Sequence, residues 1–328
     1  MSATVFGQLF LVLMMIGTST IIASNQDADK EAESFIRTGS IGKPDKPTPV
    51  KVDELSKLVQ ENFPYRPLRE CMGHEFIFLP QSKRLRELAW MSWHREGETD
   101  PTKFPGYEEL AGKRCILEES TKDLAVVRLA KTGLKYRLEH PALDAESEPS
   151  VLELASLRDL RQARTLFVGM TLFYKGIDAS SKLYIYDADK DELGEIVVKR
   201  YSPVKVTEVV AGDWRPVRFV LETDDKRQAF IDVVLSSRVN DPLSAFLPME
   251  LFSKENPRTV HKWADDIWLA IENCVVIPGM TKNQALMAWG KPHSINSTIH
   301  ESARREQWVY TNKSILYFDG DKLSTIQN

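Results

Sequence analysis

The sequence predicts an α+β protein in which two small β-rich modules precede a C-terminal α-α-β-β-β domain. Short apolar stretches separated by polar turns recur between residues 76 and 235 and are typical of β-strands. Beyond residue 264, apolar residues recur at helical spacing and a helix-capping signal follows them. With 328 residues and 42% apolar side chains, the chain is long enough for two or three domains with buried cores. The net charge of −4 excludes the strongly basic balance typical of nucleic-acid-binding domains.

Residues 1–24 have the layout of a secretory signal peptide. An apolar run over residues 5–16 is followed by small polar residues, and cleavage is predicted after Ala23 or Ser24. The alternative is an uncleaved membrane anchor, because residues 5–23 are just long enough to span a bilayer. Both interpretations place the protein in the periplasm or cell envelope. No cysteine lies near residue 24, so no lipid can be attached there.

Residues 25–52 are predicted to be a flexible linker, because they are polar and rich in glycine and proline. The first β-rich module is predicted over residues 53–141 and begins with a short helix near residues 52–61. Residues 101–106 are predicted to be a loop. The predicted strands, which suggest a small barrel or an SH3-like fold, are residues 76–78, 115–117, 125–129 and 134–138.

Residues 142–163 are predicted to be a linker and spacer helix, because an acidic stretch is followed by leucines at 152, 154, 157 and 160. A second β-rich module is predicted over residues 164–260. Its candidate strands are residues 166–174, 183–186, 196–199, 204–210, 217–221 and 229–235.

The two β-rich modules invite the hypothesis of a duplication. Gly73 and Gly169 each open a module just before an aromatic strand, and Tyr107 and Tyr201 each stand shortly before a later strand. The alternative is that alternating strands resemble one another by default.

The C-terminal domain is predicted over residues 261–328. Its first helix follows Asp265, and Thr281 with Gln284 forms a capping box for the second helix. Gly290 and Pro292 end that second helix. Strands are predicted at residues 295–299, 306–310 and 314–318, and a turn at residues 319–320 leads into a hairpin strand at residues 323–326.

Four motifs of this domain occur in a recognisable succession. Gly279-Met280-Thr281 precedes a short helix that ends at Gly290-Lys291-Pro292, Trp308-Val309-Tyr310 lies in a strand, and Tyr317-Phe318-Asp319-Gly320 lies in the final hairpin. The succession resembles the outer-membrane assembly lipoprotein family BamE (SmpA/OmlA). The resemblance covers the C-terminal domain alone. It implies a domain of two helices and one sheet, without catalytic residues, that binds other proteins or the inner face of a membrane.

The aromatic residues of this domain form the candidate interaction patch. Trp308 and Tyr310 share one face of their strand, and the predicted patch also includes Arg305 and Trp263. If the face of Trp308 is open to solvent, it is an aromatic surface of the kind that protein interfaces use. The alternative is that Trp308 and Tyr310 fill the core of a small domain.

The cysteines suggest a structural role. Cys71 and Cys115 lie in the same module and could form a disulfide if the chain is exported, while Cys274 falls on an apolar helix stripe as a buried thiol. The alternative is that all three cysteines are reduced and buried. Pairing Cys71 with His74 or His140 would give a Cys–His cell-wall hydrolase. The sequence disfavours that hypothesis, because a papain-like site needs the cysteine on a helix and the residues after Cys71 predict a strand.

Residues 187–191 imitate the start of a calcium-binding loop. The segment does not match the full calcium-loop pattern, because Glu192 and Val198 occupy the positions at which such a loop needs glycine and glutamate. We therefore predict no catalytic residue, no metal and no cofactor.

The combined expectation is a non-enzymatic binding or scaffold protein of the cell envelope. Its expected partners are envelope proteins, and it is not expected to bind nucleic acids or nucleotides. The alternative is a peptidoglycan-binding protein that uses SH3-like modules.

Overall fold

The computed structural model of the protein describes residues 54–82, 93–121, 124–139, 153–176, 182–187, 192–237, 245–300, 303–310 and 313–327. The predicted signal peptide and linker, residues 1–52, lie outside these ranges. The described residues form three antiparallel sheets of six, seven and four strands, each lined by a hydrophobic core, and helices pack beside them. This architecture confirms the mixed α+β class. Within the described ranges, no helix has the length and apolar character needed to cross a membrane.

The first sheet has the strand order β2-β5-β4-β3-β1-β6, and all its pairs are antiparallel. Its core centres on Phe78 and Trp93, whose rings meet edge to face at 5.4 Å. Its elements are α1 (Glu54–Asn62), a 3-10 turn (Leu68–Cys71), β1 (Glu75–Phe78), β2 (Trp93–Arg95), α2 (Tyr107–Leu110), β3 (Arg114–Ser120), β4 (Leu124–Leu129), β5 (Lys135–Glu139) and β6 (Leu154–Ser156). The predicted helix and the four predicted strands of this region are confirmed.

The predicted spacer helix is wrong at its start. Leu154 lies in β6, where it pairs with Phe78 of β1. The helix α3 (Leu157–Phe167) begins only after Ser156, whose side chain accepts a hydrogen bond from the Asp159 amide. The helix also runs on to Phe167, so the strand predicted over residues 166–174 begins later. Leucines spaced two and three apart suit a short strand followed by a helix as well as they suit one helix.

The second sheet has the strand order β13-β7-β10-β11-β12-β8-β9. Helices α1 and α3 supply buried side chains to its core, including Leu55, Val59 and Phe167. The helix α1 therefore packs with the second sheet although the sequence assigns it to the first module. The remaining elements are β7 (Thr171–Tyr174), β8 (Lys182–Asp187), β9 (Glu192–Val197), β10 (Pro203–Ala211), β11 (Val217–Thr223), β12 (Gln228–Val233), α4 (Pro248–Leu251), β13 (Phe252–Ser253) and α5 (Pro257–Val260).

The first two sheets repeat one topology. Strands β1, β2, β3, β4, β5 and β6 occupy the same places in the first sheet as β7, β8, β10, β11, β12 and β13 in the second. In each sheet, three consecutive strands form a meander. The opening strand pairs with the first strand of the meander on one side and with a short closing strand on the other. Strand β9 is an additional edge strand of the second sheet.

Backbone hydrogen bonds match in the two sheets as well. The Gly73 amide donates to the Leu117 carbonyl at 2.7 Å, and the Gly169 amide donates to the Val206 carbonyl at 2.8 Å. Each of these acceptors begins a register shift in its strand pair, at Leu117/Glu119 and Val206/Glu208. These matches favour the duplication hypothesis over chance resemblance of alternating strands.

The duplication hypothesis matched Tyr201 with Tyr107, and this match is wrong. Tyr201 corresponds to Gly112 and not to Tyr107, because Tyr201 and Gly112 both adopt positive φ values, 62° and 66°. Each also donates its amide to the last residue of the opening strand, Tyr174 and Phe78 respectively.

The C-terminal domain contains α6 (Asp265–Glu272), α7 (Lys282–Trp289), β14 (Ser294–His300), β15 (Ala303–Val309), β16 (Ile315–Asp319) and β17 (Lys322–Gln327). The four strands of the sheet lie side by side in chain order. The predicted α-α-β-β-β pattern counts only three strands, so the sheet has one strand more than that pattern. The capping box of Thr281 and Gln284 is present, and Gly290 ends α7 with φ 79°. Cys274 lies beyond the end of α6 with φ 57°, and not on its apolar stripe.

Candidate functional site

The sheet of the C-terminal domain has two unlike faces. One face is buried and carries Trp308, Leu316, Phe318 and Leu323. Helices α6 and α7 contribute to the same core, in which Trp268, Ile271, Ala285 and Ala288 are buried. Side chains alternate between the two faces of a strand, so the neighbouring positions of β15 and β16 point away from the helices.

An ion pair between half-buried Lys282 and buried Glu306 lies beside Trp308 in the covered face. The indole Nε1 of Trp308 donates to the Glu306 carboxylate at 2.9 Å, and the Lys282 Nζ lies 3.0 Å from the same carboxylate. Because Lys282 begins α7, this contact ties the second helix to strand β15. The buried carboxylate is paired and hydrogen-bonded, as buried charges need to be.

The opposite face, which we call the open face, carries a chain of hydrogen-bonded polar side chains across all four strands. Asn296 donates to Gln307 at 2.9 Å, Gln307 donates to the Tyr317 hydroxyl at 3.2 Å, and that hydroxyl donates to Gln327 at 2.9 Å. Asn296 and Gln327 are exposed, and Gln307 and Tyr317 are half-buried. Amide groups carry two donors and an acceptor with two lone pairs, so the chain retains groups that can bind a partner.

The structure does not bring the four residues of the predicted patch together on one surface. Trp308 and Tyr310 have exposed fractions of only 3% and 9% and belong to the core, so the patch interpretation of these two residues is wrong. Arg305 lies on the open face and pairs with Asp319 at 2.8 Å. The sequence predicts which residues share a face, but helix packing decides which face is covered.

Trp263, the fourth residue of the predicted patch, lies in an aromatic stack. Its ring is 4.5 Å from that of His261 and 5.3 Å from that of Trp268, between ring centroids. Tyr201, which precedes β10 of the second sheet, meets Trp268 edge to face at 6.4 Å, and burial raises the pKa of Tyr201 to about 12. The Arg200 amide also donates to the Glu272 carbonyl at 3.0 Å. Trp263 therefore lies where the C-terminal domain packs on the second sheet.

The cysteines, all of which are described, form no disulfide in the structure, so the Cys71–Cys115 bond is absent from it. Burial raises the pKa of the Cys115 thiol to about 12. Burial, and then the neighbouring Asp159 carboxylate, raise the pKa of the Cys71 thiol. A nucleophilic cysteine needs the opposite environment, one that lowers its pKa. His140, one of its two suggested partners, lies outside the described residues.

The calcium-like loop is only partly described. Strands β8 and β9 flank it as the predicted hairpin, with Tyr186 paired to Leu193. Asp189 and Asp191 lie outside the described residues. Among the residues that are described, no group of three histidine, cysteine or acidic side chains could hold a metal ion.

The second sheet contains a buried cluster of charged residues that was not predicted from the sequence. The Asp232 carboxylate of β12 accepts hydrogen bonds from Arg218 at 2.7 and 3.1 Å and from the amides of Asp213 and Trp214, both at 3.0 Å. Arg218 also lies 2.8 Å from the Asp213 carboxylate. Asp213 and Asp232 are each only 5% exposed. The sequence feature that could have predicted this cluster is Asp232, a charged residue inside the apolar stretch of residues 229–235.

The chain around this cluster is tightly packed. A side chain at Gly212 would place its Cβ 2.1 Å from the Arg215 carbonyl oxygen and 2.9 Å from the Asp232 Cγ. The guanidinium of Arg215 lies 3.2 Å from the centre of the Phe246 ring, and burial lowers its pKa to about 10. The turn of residues 212–216 can therefore close over Asp232 only with glycine at position 212.

Comparison with known proteins gives no assignment: no protein-family description, curated protein or solved structure matches this chain.

Proposed function

We propose that this chain is a non-enzymatic binding or scaffold protein of the cell envelope and that its C-terminal domain holds a protein partner on the open face. The observation that carries the proposal is the hydrogen-bonded chain of Asn296, Gln307, Tyr317 and Gln327. These side chains are already oriented by one another, so a partner would order few of them on binding. Tyrosine is also enriched at protein interfaces.

The finer fold assignment belongs to the same proposal. The BamE-like assignment of the C-terminal domain has support from its two helices, its capped Gly279-Met280-Thr281 turn and its final hairpin. The SH3-like assignment of the two β-rich modules has support from the three-stranded meander in each sheet. The envelope location has support from the signal-peptide pattern of residues 1–24.

The non-enzymatic part of the proposal has support from Cys71. Burial and Asp159 raise the pKa of this thiol, which disfavours the thiolate that a Cys–His hydrolase needs. Cys71→Ala is therefore expected to leave any cell-wall activity of the purified protein unchanged.

Site-specific photo-crosslinking in cells tests the proposed surface. A crosslinking amino acid at Gln307 samples the open face, and one at Leu269 of α6 is the matched control, because Leu269 is 57% exposed and lies on the helix side of the domain. We expect adducts with an envelope protein from position 307 and not from position 269, on a chain whose N-terminus lies near Asn25. Identical adducts from both positions, or none from position 307 on a chain that retains Met1, would contradict the proposal.

The repeated topology of the first two sheets favours one second candidate, a peptidoglycan-binding protein. Two similar modules in one chain could bind a polymer at two points and so gain avidity. Sedimentation of the full chain with purified peptidoglycan tests this candidate. Co-sedimentation that survives Gln307→Ala would favour the β-rich modules over the open face as the binding element.

A further inference from the structure

Asp213 and Asp232 are buried carboxyl groups that share one guanidinium. The Nη2 atom of Arg218 lies 2.8 Å from Oδ1 of Asp213 and 3.1 Å from Oδ2 of Asp232. Two carboxyl groups that contact the same nitrogen are close neighbours. Like charges at such short range in a buried site cannot both ionise without cost.

The surroundings of the two carboxyl groups are unequal. Asp232 accepts four hydrogen bonds, two from Arg218 and two from the amides of Asp213 and Trp214. Asp213 forms an ion pair with Arg218. The Ser82 hydroxyl lies near the Asp213 carboxyl group but does not have the geometry of a hydrogen bond to it. Hydrogen bonds to the charged form stabilise that form, so a proton that enters this cluster resides on Asp213.

We propose that Asp213 and Asp232 bind a single proton between them and that its release loosens the turn of residues 212–216. With the proton present, the Asp213 carboxyl donates a hydrogen bond to the Asp232 carboxylate. When the O–H bond of Asp213 breaks and water takes the proton, two carboxylates face one another across Arg218. This regulatory device is independent of the proposed partner binding.

The charged and titratable groups around the cluster come from several elements. Arg218 belongs to β11 and Asp232 to β12, and Arg215 belongs to the turn itself. Tyr184 of β8 lies close enough to Arg215 to interact with its charge. Arg215 and Arg218 remain charged throughout the neutral range, so Asp213 is the group that changes charge.

The first sheet provides an internal comparison, because its described residues at the positions that match Asp232 and Arg218 are different ones. The strand registers align Asp232 with Glu139 and Arg218 with Leu124. Glu139 is exposed and pairs with Arg137 at 3.2 Å. The repeated topology therefore forms without the Asp232–Arg218 pair at these two positions.

The titration range follows from the environment of Asp213. Burial, and then the charge of Asp232, raise the pKa of Asp213 from an ordinary 3.8 to about 7. Between these values the closed turn binds a proton that the open turn releases, so opening becomes easier as the pH rises. Above the higher value neither state holds the proton, and the pH dependence ends.

Hydrogen exchange of the full-length chain tests the proposal at the amides of Asp213 and Trp214. The measured rates are first corrected for intrinsic exchange. We then expect the equilibrium constant for opening of the turn to increase by up to about tenfold per pH unit between about pH 5 and about pH 7. Above about pH 7 it should become constant. Asp213→Asn should abolish this slope, and Glu139→Gln should leave it intact. A wild-type chain without a slope, or an Asp213→Asn chain that keeps it, would overturn the proposal.

A second measurement needs no variant and so can overturn the proposal even if Asp213→Asn does not fold. Infrared spectroscopy of the wild-type chain resolves the carbonyl band of a protonated carboxyl group. We expect this band at about pH 6 and its loss by about pH 9, around the raised pKa. If no carboxyl group is protonated at the lower pH, the shared proton does not exist and the proposal fails.

Discussion

The first and second sheets share a topology but differ in what they bury. Both use a left-handed glycine before the opening strand, at Gly73 and Gly169, and both shift register at the same point of the meander. The core of the first sheet is built from apolar and aromatic side chains such as Trp93 and Tyr136. The second sheet also buries Asp213 and Asp232. The backbone features that define the topology are thus separable from the side chains that give each copy its chemistry.

The difference matters because buried charges are costly. Replacing a buried ion cluster with apolar residues of similar volume is often neutral or stabilising, so stability alone does not account for the cluster. The first sheet forms the same topology with the exposed Glu139 at the matching position. This contrast is why we assign the cluster a regulatory role.

The largest expected effect is that of Asp232→Asn. The change removes the negative charge and replaces one of the two acceptor oxygens with an NH2 donor, so part of the four hydrogen bonds is lost and Arg218 has less compensation. Breaking such a buried pair costs about 3–5 kcal/mol. Glu139→Gln at the matching position of the first sheet should change the free energy of unfolding by less than about 0.5 kcal/mol. Urea unfolding of both variants measures the contrast. Equal costs would refute the claim that the two copies differ at this position.

A somewhat smaller loss is expected for Gly212→Ala. The new Cβ would lie 2.1 Å from the Arg215 carbonyl oxygen, so the backbone of the turn must shift, at a cost of about 3 kcal/mol. Gly106→Ala is the control, because nothing lies within 4 Å of its Cβ and its φ is −66°. Thermal unfolding should separate the two variants clearly. A tolerated alanine at position 212 would mean that the turn packs less closely over Asp232.

Moderate and equal losses are expected for Gly73→Ala and Gly169→Ala. Both glycines have positive φ, 78° and 87°, and an alanine Cβ at either position would meet no atom within 4 Å, so the only cost is the left-handed conformation. That cost is about 1–2 kcal/mol for each alanine. Both losses have the same cause, the left-handed conformation. If the unfolding free energies of the two variants differ by more than about 1 kcal/mol, the hypothesis that Gly73 and Gly169 are equivalent positions of a repeat is weakened.

The smallest effect is a gain. Lys226 has φ 67° in the β11–β12 turn, where the corresponding turn of the first sheet has Gly133 with φ 74°. Because glycine tolerates this conformation, Lys226→Gly should stabilise the protein by up to about 1 kcal/mol, and Gly133→Lys should destabilise it. Denaturant midpoints of the two variants should therefore move in opposite directions. Movement in the same direction would show that the two turns are not equivalent.

Much of the local structure could be predicted from the sequence. The strands around residues 125–129, 204–210 and 217–221 formed where short apolar runs predict them. The capping box at Thr281 also formed, because its hydrogen bonds join residues only three positions apart. The spacer region misled the prediction, since Leu154 owes its strand to Phe78, a partner distant in the sequence.

By itself, the sequence determined most of the helices and strands and which residues share a face, because those patterns depend on near neighbours. Tertiary structure alone decided that Trp308 is covered while Tyr317 is not, since both faces of that sheet carry aromatic residues. It also decided that Asp213 and Asp232 meet. They are separated by a whole hairpin in the chain, and only the pairing of β11 with β12 brings them to one arginine.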